Sequence, residues 1–65
     1  MDEFILIING ETKHIVNRYD IAYIDIQKFD GIYDITIYFI SNVPRLVCLL
    51  TEEDYKNFMS QMEFG

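Results

Sequence analysis

The stretch YIDIQKFDGIYDITIYFI, Tyr23–Ile40, decides the fold. Asp30-Gly31 lies at its middle, between two runs of strand-forming residues. Asp-Gly is a strong two-residue hairpin signal, because both central positions of the favoured turn need positive φ. A turn there sets Phe29 opposite Ile32 and fixes every pair behind it. Ile26 meets Ile35, Ile24 meets Ile37 and Ala22 meets Phe39 on one face, and all are apolar. On the other face Gln27 meets Asp34, Asp25 meets Thr36, Tyr23 meets Tyr38 and Ile21 meets Ile40. A slip of one residue would set Ile26 against Asp34 and Ile24 against Thr36, so the pattern specifies its own register.

Working outward, Ser41–Pro44 reads as a four-residue loop, and Pro44 cannot donate to a ladder. Arg45–Leu50 then returns as a strand, with Leu46 opposite Phe39, Cys48 opposite Ile37 and Leu50 opposite Ile35. These join Ala22, Ile24, Ile26 and the rest in a continuous core face. The second face is expected to divide. Ile21, Tyr23, Tyr38, Ile40, Val47 and Leu49 form an apolar end, and Asp25, Gln27, Asp34 and Thr36 a polar one. Six large apolar side chains grouped on a surface are unusual for a monomer unless something binds them.

Toward the N-terminus, Phe4–Ile8 and Glu11–Val16 flank Asn9-Gly10, a second hairpin signal. Asn17–Asp20 connects this hairpin to a strand over Ile21–Lys28. After Leu50 the period changes. Thr51 reads as a helix N-cap with Asp54 three positions on, in the manner of a capping box. Glu52, Glu53 and Asp54 fall in the first turn, where the helix dipole favours negative charge. Tyr55, Phe58, Met59 and Met62 repeat at helical spacing and predict one inward stripe. The expected fold is therefore α+β: an antiparallel five-stranded meander sheet with one C-terminal helix packed on one face. One helix cannot cover both faces of such a sheet. Phe64 and the first hairpin are the spare apolar pieces, and a hairpin folded over the second face would curl the sheet into a small closed barrel. The barrel is the alternative; the expected cover is a second copy of the chain, packed sheet to sheet.

The bulk composition narrows the classes. The chain has 65 residues and reads as one domain, 51% hydrophobic with eleven isoleucines and ten Phe or Tyr. A chain this short buries only about 60% of its unfolded surface, so a homo-oligomer (a dimer or larger) or a partner is expected to supply stability. Cys48 is the only cysteine, which excludes an internal disulfide. It fits a reducing cytoplasm, as does a Met-Asp-Glu start with no basic leader. The net charge of −6 argues against direct nucleic-acid binding, since neutralising phosphates takes Lys and Arg. It suits a host protein with a basic surface. No apolar run reaches the ~18 residues of a membrane span.

Candidate chemistry is sparse. Cys48 and His14 could be nucleophile and base, but the register buries Cys48, where a thiol is usually an inert small hydrophobe. Asp25 and Asp34 share one face, where two solvated strand carboxylates are the plainer reading. No metal site, cofactor site or catalytic set is expected. The order NGE (residues 9–11), a strand, a strand–turn–strand, then LVCLLTEEDYKNF (residues 46–58) resembles very small bacterial or phage proteins such as the small flagellar-operon proteins. In size, acidity and want of catalytic groups the chain is also similar to small phage-encoded inhibitors of host defence. That resemblance implies anti-defence protein binding inside a bacterial host cell, and neither supplies site residues.

The expectation is a non-enzymatic binding protein, an inhibitor of phage type acting by protein–protein binding and self-association. Its interface is Ile21, Tyr23, Tyr38, Ile40, Val47 and Leu49, and its acidic surface is Glu52, Glu53 and Asp54. The alternative is an oligomeric nucleotide binder or sponge, its pocket lined at the joint by Tyr19, Tyr23, Tyr33 or Tyr38. A structural assembly component with no ligand is a further alternative.

Overall fold

The computed structural model describes residues 3–62, so Phe64 lies outside the described residues. The elements are β1 (Phe4–Asn9), β2 (Thr12–Asn17), a 3-10 turn (Arg18–Asp20), β3 (Ile21–Phe29), β4 (Ile32–Phe39), β5 (Leu46–Leu50) and α1 (Glu52–Met62). Their type and order follow the sequence reading. The assembly of the strands does not. Instead of one five-stranded meander there are two antiparallel sheets, β1–β2 and β3–β4–β5, and no closed barrel. The 3-10 turn separates them. Asn17 starts it by accepting the Tyr19 N–H at 2.8 Å, which breaks the ladder between β2 and β3.

The hairpin and the helix lie on the same side of the three-stranded sheet. Ile5 and Ile7 from β1 close a buried core with Ile35 and Ile37 from β4, Cys48 and Leu50 from β5, and Phe58 from α1. Burying each such Ile, Leu or Phe contributes about 1.5–3 kcal/mol. Tyr55, Met59 and Met62 pack against this core from the predicted helix stripe. Thr51 caps the helix as expected, its Oγ1 accepting the Asp54 N–H at 3.2 Å.

Three registers need correction. Asn9 pairs with Thr12, so the first turn is Gly10-Glu11 rather than Asn9-Gly10. Only Gly10 has positive φ there, at 64°, which is the sign pattern of a type II′ turn. The Asp30-Gly31 turn does stand as expected, with φ of 55° and 76°. Its register holds from Phe29–Ile32 back to Tyr23–Tyr38, and then a bulge intervenes. Ile21 pairs with Phe39, leaving Ala22 as the extra residue. Asp20 gathers the end of β4 at this point. Its carbonyl accepts the Ile40 N–H at 2.7 Å, and its carboxylate takes the Ser41 N–H at 2.9 Å and the Ser41 hydroxyl at 2.6 Å. Between β4 and β5 the pairing is offset by two residues, with Ile37 opposite Leu46, Ile35 opposite Cys48 and Tyr33 opposite Leu50. The connection is therefore longer than Ser41–Pro44. An even offset leaves every side chain on its expected face.

Candidate docking face

Helix and hairpin both cover the core side, so no described element covers the other face of β3–β4–β5. Three strands at about 4.8 Å spacing and about 3.3 Å per residue make that face roughly 14 by 25 Å. Its rows follow from the register. Tyr23 and Tyr38 form the first, with rings stacked at 4.4 Å between centroids and 18° between planes. Asp25, Thr36 and Val47 form the second, Gln27, Asp34 and Leu49 the third, and Phe29 and Ile32 the last.

The polar residues are thus not at one end. An apolar border of Tyr23, Tyr38, Val47, Leu49, Ile32 and Phe29 surrounds Asp25, Gln27, Asp34 and Thr36 on three sides. The side along β3 is open. Phe29 is 62% exposed, Tyr23 57% and Leu49 57%, so the border stands in water.

Of the expected interface residues, Tyr23, Tyr38, Val47 and Leu49 share this face. Ile21 does not. The bulge at Ala22 turns it, with Phe39, toward the core, against which it packs half-buried. Ile40 lies past the end of β4, exposed in the bend that Asp20 holds. Phe29 and Ile32 were missing from the expected set. Their signal was available, since they share strand parity with Gln27 and Asp34 and flank the turn that fixes the register.

Glu52, Glu53 and Asp54 head α1, which is layered on the core side, so the acidic run and the apolar border lie on different sides of the sheet. Glu52 makes an exposed pair with Lys56 at 3.4 Å. The tyrosines are dispersed too. Tyr33 points to the core side, where its ring stacks on Tyr55 at 3.8 Å, and Tyr19 is exposed on the 3-10 turn. Of the four tyrosines expected to line a pocket, Tyr23 and Tyr38 come together and the other two lie apart from them. The described residues enclose no pocket, and among them no three His, Cys, Asp or Glu side chains gather to hold a metal.

Cys48 is buried in the core, and burial pushes its thiol above the ordinary value. An activated nucleophile needs the opposite shift. His14 is half-buried on β2, opposite Ile7.

Fold and face together define a small α+β domain of two antiparallel sheets and one helix, with one sheet face open to solvent. No protein-family model matches the chain, and no curated protein or solved structure matches it either.

Proposed function

We propose that this protein is a non-enzymatic binding module that docks another protein on the open face of β3–β4–β5. The observation that carries the reading is the bordered face itself: exposed aromatic and aliphatic side chains ringing a carboxylate-bearing centre on the side that no described element covers. Aromatic residues with a polar tip suit such interfaces. Asp25 and Asp34 at the centre, on a chain of net charge −6, favour a partner that presents apolar side chains interspersed with Lys or Arg. Glu52, Glu53 and Asp54 extend the negative field and steer such a partner during encounter. Inhibition of a basic host protein in a bacterial cell is the biological role this chemistry fits.

The test is affinity capture followed by titration of the purified partner against three forms of the protein. Val47→Lys with Leu49→Lys should weaken binding by more than about tenfold, through loss of apolar contact and like-charge repulsion. Charge reversal at Glu52, Glu53 and Asp54 should mainly slow association, and more so at low salt. Binding that is indifferent to both face lysines would remove the face from the account.

A further inference from the structure

Strand β3 is nine residues long and ends its sheet, with β4 on one side and no described strand on the other. The type of turn at Asp30-Gly31 tells which of its backbone groups are free. With both φ values positive, Phe29 and Ile32 form a hydrogen-bonded pair. Pairs then alternate, so Gln27, Asp25 and Tyr23 spend their N–H and C=O on β4. Those of Lys28, Ile26 and Ile24 point out of the edge.

Exposed edges of this length are normally blunted by proline, charge or a covering element. The opposite part of the molecule does so. Gln61 of α1 occupies the edge of β1, its Oε1 accepting the Leu6 N–H at 2.8 Å and its Nε2 donating to the Leu6 C=O at 2.7 Å. Among the described residues nothing comparable guards β3. Its one lysine, Lys28, is drawn in over the Tyr33 ring at 5.2 Å. Ile26 shows the consequence. It faces the core side and pairs with the buried Ile35, yet remains 40% exposed.

We infer that two copies of this chain join edge to edge through antiparallel β3 strands, with the two-fold axis at Ile26. The sequence of the edge is self-complementary in that register. Ile26 lies beside the partner's Ile26, and Ile24 beside the partner's Lys28. On the open face Asp25 lies beside the partner's Gln27, and Tyr23 beside the partner's Phe29. The outward groups of Ile24, Ile26 and Lys28 meet their counterparts in three pairs, and each hydrogen-bonded pair exchanges two bonds. Centring the axis on Asp25 instead would oppose two carboxylates, and like charges directly opposite destabilise a ladder. Centring it on Gln27 would set Asp25 against the partner's Phe29 and Ile26 against the partner's Lys28. The chosen register also buries the exposed Ile26 against its own mate. It closes the open side of each apolar border, because Tyr23 and the partner's Phe29 become neighbours at both corners.

This pairing does not rest on the docking role. It is tested by sedimentation equilibrium of the full chain, with circular dichroism to check folding. Wild type should be a dimer. Ile26→Pro removes only an outward N–H, which an edge strand tolerates, and should weaken the dimer by more than about tenfold. Ile26→Lys sets two ammonium groups together on the axis and should act in the same direction. Gln27→Lys gives each Asp25 a cross-strand cation and should tighten the dimer roughly threefold to tenfold, whereas Gln27→Glu should loosen it. Leu49→Lys, on the open face, should leave the dimer intact. A monomeric wild type would overturn the inference. So would a dimer that ignores the Ile26 and Gln27 substitutions and is broken by Leu49→Lys. If Ile26→Pro fails to fold, the Ile26→Lys and Gln27 results decide.

Discussion

The fold opposes the ionisation of Cys48. It lies on β5 in the buried core with 1% of its surface exposed, and desolvation raises its pKa above the ordinary thiol value. The folded chain therefore holds this proton after the unfolded chain has released it. Below the unfolded thiol's pKa both states are protonated and the group has no pH effect. As pH rises past that point and on toward the folded value, the unfolded state gains by ionising and stability falls. Urea unfolding of wild type and Cys48→Ala at neutral pH and near pH 9.5 isolates the effect. At neutral pH the alanine form should be less stable by about 1–2 kcal/mol, from a small cavity. The gap should narrow at the higher pH, because only wild type loses stability through the thiol. A gap constant with pH would mean that Cys48 is open to water in the folded state. The burial of Cys48 was legible from the sequence, because its parity with Leu46 and Leu50 survives the two-residue offset of β5.

Elements whose signals are local were the most readable. The helix announces itself through Thr51 and the acidic first turn, and the Asp30-Gly31 turn through two residues that tolerate positive φ. At Asn9-Gly10 the same kind of signal placed the turn one residue early, which shifts the pairing by two, since a type II′ turn needs only its first central residue, Gly10, at positive φ. The contact between Gln61 and Leu6 spans 55 residues of sequence and has no local sign at all. It couples the last turn of α1 to the edge of β1, and the Arg18 guanidinium adds a bond to the Gln61 carbonyl at 2.8 Å. Gln61→Ala leaves both part-buried Leu6 groups without that partner, so it should cost about 1–3 kcal/mol. The checks are the midpoint of thermal unfolding and amide hydrogen exchange, which should quicken at Leu6 and through the last turn of α1. Unchanged exchange at Leu6 would show that the edge is protected by something other than this amide.

At the scale of the whole molecule, alternation along β3, β4 and β5 assigned the two faces, but it could not say which face the first hairpin would cover. That choice depends on the direction the chain takes after β2, set by a three-residue 3-10 turn and by the Asp20 contacts with Ile40 and Ser41. Nor could it show that Ile21 turns inward, because a bulge breaks the period that the reading relied on. Once the hairpin sits on the helix side, the two faces have separate roles: one carries the core and the other is free of folding duty. Their substitutions should then differ sharply. Val47→Lys and Leu49→Lys should each change unfolding free energy by no more than about 0.5 kcal/mol, as at ordinary surface positions. Ile37→Ala and Ile5→Ala should each cost about 2–5 kcal/mol, since both side chains are almost wholly buried. Chemical denaturation of the four variants at one protein concentration measures the contrast. Comparable losses on both faces would place the β5 side of the open face inside a packed interface needed for folding.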